Sequence, residues 1–204
     1  MSRLVFLSCH LTGTGHLIRT LALACRARAM GHTVSVITGG RPLAHVATGE
    51  LEVIQLPPVT VNDFEFIILR MPGGALASDA YMADRMSALR GHLARARPDV
   101  LITELFPLGR RVLAKEFMAA IAAVRKMKPD AAVLASVRDI PEPKPRRLTE
   151  AATRLLKHYD GVLVHGDADF LPLETTWPLP DDLAHLIHQC RVVETIFLII
   201  TSTV

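Results

Sequence analysis

Short blocks of consecutive apolar residues alternate along this chain with longer stretches in which apolar positions recur every three or four residues. The blocks predict six strands, over residues 3–9, 33–38, 51–56, 99–103, 131–136 and 161–165. The stretches between them predict helices over 15–30, 42–47, 79–97, 107–127 and 146–158. Gly31-His32 closes the first helix in the manner of a glycine cap. Strands alternating with helices imply a parallel sheet with right-handed crossovers. The predicted fold class is therefore α/β, a Rossmann-like doubly wound sheet. From Pro57-Pro58 to about Leu76 neither period holds, and this stretch is predicted irregular and too long for a mere connector. Pro141-Glu142-Pro143-Lys144-Pro145 reads as a proline-stiffened loop. Residues 192–204 form a largely apolar run with nothing after it to pair with, too short to span a bilayer. An edge strand is one reading of that run. The favoured one is an ending where a longer protein was cut or its frame shifted, which divides the chain into a domain over 1–190 and a tail over 191–204.

A chain of 204 residues holds one domain with a sizeable core. Half of the residues are hydrophobic and only 5% aromatic, so that core is built from Leu, Val, Ile and Ala. The net charge of +3 is spread over dispersed arginines, which demands no nucleic-acid partner. Phosphate-bearing small molecules and an anionic membrane surface remain compatible with it. Cys9, Cys25 and Cys190 lack metal or redox spacing and suit buried thiols in a reducing compartment. The chain enters a strand at once without a signal peptide, and no run approaches about 20 apolar residues. A cytoplasmic location is expected, with contact at the inner face of the membrane left open.

The stretch Thr12-Gly13-Thr14-Gly15-His16-Leu17-Ile18-Arg19 follows the first strand and opens the first helix. Backbone N–H groups at that helix start point at whatever occupies the loop. A dinucleotide fingerprint would need glycine where Ile18 stands and an acidic residue after Ile37-Thr38; a P-loop would need Gly-Lys-Ser/Thr. Neither is present. In a parallel sheet the carboxyl ends of the strands share one rim. There the sequence gathers His16 and Arg19, Gly39, Gly40 and Arg41, Glu104, Arg110 and Arg111, Arg138 and Asp139, and His165, Asp167 and Asp169. Such a gathering suits a polar-ligand site, although loops collect polar residues in any case. The positive end of a helix disfavours an imidazolium, so His16 suits a general base, with Glu104 or Asp139 orienting its ring. The alternatives for His16 are a loop histidine bonding a backbone carbonyl, or a metal ligand with Cys9 and His10, which lacks a second ligand cluster. His165 reads equally well as a packed strand end. Arg110, Arg111, Lys115, Arg125, Lys126 and Lys128 give the fourth predicted helix a basic face, either merely solvated or touching anionic lipid. The apolar stretch from Phe64 to Gly74 reads as core packing or as a hydrophobic acceptor site.

Four stretches carry a resemblance: Gly13-Thr14-Gly15-His16-Leu17-Ile18-Arg19-Thr20-Leu21-Ala22-Leu23-Ala24, Thr103-Glu104-Leu105-Phe106-Pro107-Leu108-Gly109-Arg110-Arg111, Ser136-Val137-Arg138-Asp139-Ile140 and Val164-His165-Gly166-Asp167. In this order they resemble the N-terminal half of a GT-B glycosyltransferase, in particular predicted glycosyltransferases related to the family that includes MurG. The resemblance implies one of two Rossmann-like halves facing a cleft. This half would bind a hydroxyl acceptor, and a C-terminal half would bind most of the nucleotide-sugar donor. It implies His16 as the base, with Glu104 and Asp139 as the other catalytic candidates. Gly13, Thr14, Gly15, Arg19, Arg41, Arg110, Arg138, His165 and Asp167 are the substrate-binding candidates. No metal or cofactor is called for, since helix N-termini and arginines can stabilise a leaving phosphate. The donor-binding half is missing from the 204 residues, and the pattern is lost near Gln189. The expected function is thus the acceptor-binding part of a sugar transferase. A nucleotide-sugar hydrolase of the same fold and a non-catalytic remnant or binding module are the alternatives.

Overall fold

The six predicted strands assemble into one parallel sheet, and a seventh joins its edge. In a computed structural model that describes residues 1–42, 48–62, 65–138, 145–166, 169 and 172–190, these strands are β1 (Arg3–Ser8), β2 (Thr33–Thr38), β3 (Glu52–Gln55), β6 (Val100–Glu104), β7 (Ala132–Arg138), β8 (Gly161–His165) and β9 (Ile187–Cys190). Their order is β3-β2-β1-β6-β7-β8-β9, every neighbouring pair parallel. The predicted helix at 42–47, Asp139, the loop at 141–144, Asp167 and the tail at 191–204 lie wholly or largely outside the described residues.

Alternate residues of each strand enter different cores, as the pleat requires. Leu4 and Phe6 of β1 pack with Leu17, Leu21 and Ala24 of α1 (Gly15–Ala29), while Val5 and Leu7 point to the opposite layer. That layer is built by α2 (Asp79–Ala96), α3 (Ala114–Met127) and α4 (Arg146–Leu155), through Leu89 and Leu93, Phe117 and Ile121, and Ala152. Gly31 caps α1 as the sequence predicts: at φ 90° it donates its N–H to the Arg28 carbonyl, and His32 donates to that of Ala27. Among the described residues no helix is long and apolar enough to cross a membrane.

Several expectations need correction. The stretch predicted irregular between Pro57 and Leu76 contains an antiparallel pair, β4 (Thr60–Asn62) and β5 (Glu65–Arg70). Its apolar residues run consecutively rather than alternating, and a turn with Gly73 and Gly74 at φ near 90° follows it. The helix predicted from residue 107 begins only at Ala114, after a short 3₁₀ turn over Arg111–Leu113. Leu105 and Arg110 occupy the left-handed region (φ 65° and 55°), which no continuous right-handed helix tolerates. Arg110 and Arg111 therefore leave the predicted basic helix face, while Arg125 pairs with Asp160 and Lys128 with Asp99 at 2.5 Å. Finally, β9 follows a 3₁₀ segment over Asp181–Leu186 and a four-residue helix, α5 (Leu173–Thr176); its residues are too polar to read as a strand. The cysteines divide as well: Cys9 and Cys190 are buried, but Cys25 is exposed.

One contact that the pattern does not announce joins the layers. Arg85 of α2 is fully buried, and donates to Glu116 of α3 from Nε at 2.5 Å and from a terminal nitrogen at 2.9 Å. It also donates to the Gly39 carbonyl at 2.9 Å, to the Pro57 carbonyl and to Cys9 Sγ at 3.5 Å. Gly39 has to be glycine here: a Cβ would lie 1.9 Å from the guanidinium. At the opposite, amino edge, Asp99 accepts from the Arg3 backbone and side chain and from Lys128. Desolvation acts to raise its pKa, but these donors together hold it well below the usual carboxylate range.

Glu116→Gln should cost about 3–5 kcal/mol in urea unfolding, because a buried guanidinium loses its counter-charge; a loss under about 1 kcal/mol would refute the pairing's importance. Gly39→Ala should also destabilise, by displacing the same group. Asp99 releases its proton more readily folded than unfolded, so its contribution is complete above the ordinary value of 3.8 and is lost as pH falls toward its lowered value. Asp99→Asn should flatten this acid-side loss in a stability-versus-pH series.

Candidate functional site

The chain leaves β1 to one side through β2 and β3, then returns to the other side through β6. The carboxyl ends of β1 and β6 therefore flank the switch point, where a crevice opens in sheets of this kind. Two loops border it, one running from Cys9 into α1 and one from Leu105 into α3.

Glu104, the last residue of β6, is the centre of the site and only 3% exposed. Its Oε1 meets His16 Nδ1 at 2.9 Å and accepts from the Arg19 guanidinium. Its Oε2 accepts from Ser136 Oγ at 2.9 Å, and Ser136 Oγ lies 3.0 Å from Nε2 of His165. His16 and Arg19 share a face of α1 because they stand three positions apart. Ser136 stands opposite Glu104 in the β6–β7 register, and His165 ends β8 beside Arg138. The residues on the carboxylate thus come from two elements, α1 and β7, distant in the sequence from each other and from β6. With Nδ1 of His16 directed at the carboxylate, Nε2 is the nitrogen left for exchange with a ligand, and the ring is partly exposed.

Gly13, Thr14 and Gly15 are exposed, and Thr14 caps α1 without a side-chain bond. A Cβ on Gly13 or Gly15 would meet nothing within 4 Å, so neither packing nor backbone conformation demands glycine there. Gly40 is different, since a Cβ would sit 2.1 Å from the His10 carbonyl oxygen. His10 itself is buried and bonds the Arg41 carbonyl through Nε2 at 2.9 Å. Burial first, then the nearby charge of Arg110, lowers its pKa from 6.5, which keeps the ring neutral with Nε2–H as donor. His10, Thr12, Gly13, Arg41, Thr60 and Asn62 line a cavity of about 570 Å³ at this edge, so β4 helps to wall it.

Arg110 is half-buried, and burial lowers its pKa while the charges of Cys9 and Glu104 oppose that shift. Its left-handed backbone turns the loop beside the carboxylate. Arg41 and Arg138 are exposed, and neither bonds Glu104. Asp139 and Asp167 fall outside the described residues, so of the two carboxylates expected to orient His16 the bond described is that of Glu104. Cys9 lies under Arg85, which donates to its Sγ at 3.5 Å, and burial pushes its thiol up to about 11. Ser136 opens one of the stretches that carry the resemblance but was not among the site candidates, and Arg85 was not singled out at all. The partner of Ser136 depends on register. A larger cavity, about 720 Å³, lies along α4 between Arg146, Arg154, Lys157 and Leu183, and shares no residue with this edge. The smaller one lies at the carboxyl edge of the sheet, with His10 and Arg41 as its titratable lining residues.

No family model matches the chain, and no curated protein does. Solved structures match with low identity. MurG of Acinetobacter baumannii aligns over 92% of this chain and 44% of its own, at 14% identity and a TM-score of 0.53. The spinosyn forosaminyltransferase SpnP aligns over 94% and 51%, at 14% identity and 0.54. The glycosyltransferase SsfS6 of Streptomyces sp. SF2575 aligns over 85% and 53%, at 12% identity and 0.51. The chain spans about half the length of each. Its α/β Rossmann-like fold is the fold of part of these GT-B glycosyltransferases, MurG among them.

Proposed function

We propose that this chain is the acceptor-binding half of a glycosyltransferase that passes a sugar from a nucleotide-sugar donor to a hydroxyl acceptor. The carrying observation is the His16–Glu104 pair at the switch-point crevice, at 2.9 Å, with Arg19 on the same carboxylate. In this reading the acceptor lies beside His16, in or next to the cavity walled by the glycine loop and β4. His16 Nε2 takes the hydroxyl proton as the acceptor oxygen bonds to the anomeric carbon. The bond from that carbon to the nucleotide phosphate breaks, and the phosphate leaves with its electron pair. Glu104 holds the ring by Nδ1 and stabilises the imidazolium that results, while Arg19 balances the charge of Glu104. Arg41, Arg110 and Arg138 stand round the same rim for the anionic groups of donor or acceptor. The donor itself requires a second half, which fits the half-length alignment to full transferases. The free thiols of Cys9, Cys25 and Cys190 agree with a reducing, cytoplasmic compartment.

Calorimetry of the chain should detect hydroxyl acceptors but no nucleotide sugar; the reverse pattern would overturn the assignment of this half. When a donor-binding half completes the protein, His16→Ala should lower turnover by about 10²–10⁴-fold, and unchanged turnover would remove His16 as base. Rapid release of free sugar from donor alone would assign a hydrolase instead. Gly15→Ala should leave unfolding free energy within about 0.5 kcal/mol of the parent and weaken acceptor binding, since only a ligand fills the space above it.

A further inference from the structure

The Glu104 carboxylate is held from behind as well as in front. Ser136 Oγ contacts Glu104 Oε2 at 2.9 Å and His165 Nε2 at 3.0 Å. A serine hydroxyl carries one hydrogen. A carboxylate that takes a guanidinium and an imidazole on its other oxygen can only accept, so the hydrogen of Ser136 goes to Glu104. Ser136 must then accept from His165, which places a proton on His165 Nε2. The same reasoning at the far end makes Nδ1 of His16 the donor to Glu104 and leaves its Nε2 as the acceptor.

We infer that Ser136 and His165 are positioning residues, which fix the Glu104 carboxylate and through it the tautomer of His16. His165 thereby changes role. The sequence places it among the substrate-binding candidates, whereas its Nε2 is engaged by Ser136. The chain of contacts crosses β8, β7 and β6 to reach α1, one residue from each, and β-register keeps the partners opposed: His165 belongs to the strand paired with β7, and Ser136 faces Glu104 directly. Ser136 is 1% exposed, so its hydroxyl has no competing solvent on this side. The Leu105 N–H donates to the Ser136 carbonyl at 2.8 Å, which ties the backbone of the two strand ends together behind the side chains. The consequence for turnover rests on the proposed role of His16; the hydrogen-bond order does not.

The test is nitrogen-15 NMR of the histidine rings in the full 204-residue chain. The parent should carry its ring proton on Nδ1 in His16 and on Nε2 in His165. Ser136→Ala should move the His16 nitrogen shifts toward the tautomer mixture of a free imidazole. His165→Phe should do the same, and His165→Gln, whose amide can donate from the place of Nε2, should restore the parent pattern. His165 is half-buried at a strand end, so this second pair decides the matter even if Ser136→Ala fails to fold. A proton on Nδ1 of His165, or His16 shifts unmoved in folded His165→Phe, would overturn the inference. If the shifts behave as expected but His16→Ala in the completed enzyme keeps full turnover, the relay stands and the transferase role of His16 falls.

Discussion

A guanidinium sealed under the carboxyl edge of the sheet sets where everything above it can lie. Arg85 reaches from α2 to Glu116 on α3, and spends its remaining donors on carbonyls that follow β2 and β3 and on the sulfur that follows β1. Taking both charges out of water is costly, and a pair of this sort need not add net stability. What it adds is position, because each N–H of the planar fork donates in only one direction. The loops after three adjacent strands are thereby fixed relative to one another and to the helices beneath. Gly39 is glycine so that the fork can approach, and Gly40 so that the His10 carbonyl can.

Above that platform a second buried charge organises the chemistry. Glu104 sits at the switch point, where α1 sends it two side chains and β7 one. Arg19, His16 and Ser136 leave neither oxygen of the carboxylate without a partner, and a satisfied, rigid carboxylate is what the proposed base would need behind it. The open space over Gly13 and Gly15 contrasts with the crowding at Gly39 and Gly40. The first pair leaves room above the loop; the second pair yields its room to the protein itself.

Much of the fold was legible because its periods are strong. The bounds of β2 and β8 match the predicted strands, and the ends of α1 are set by local chemistry, with Gly31 able to take the left-handed conformation that the cap requires. Misreadings fell where local pattern and tertiary context diverge. β5 is a consecutive apolar run that pairs with a short neighbour, β9 is polar and exists by adding to a sheet edge, and the start of α3 is delayed by left-handed residues whose side chains carry no such preference.

The candidate site divides along the same line. A glycine loop behind a strand, followed by histidine and arginine one helical turn apart, can be read from sequence, since only neighbours are involved. Which carboxylate meets that histidine cannot, because 88 residues separate His16 from Glu104 and the choice follows from strand order. The roles of Ser136 and Arg85 were hidden for the same reason: a serine in a strand and an arginine in a helix are ordinary until register or burial gives them partners. Sequence determined the periods, the caps and the types of chemical group brought to one rim. Tertiary structure decided which of those groups touch, because hydrogen bonds are made at about 3 Å and the one-dimensional order of residues carries no such distance.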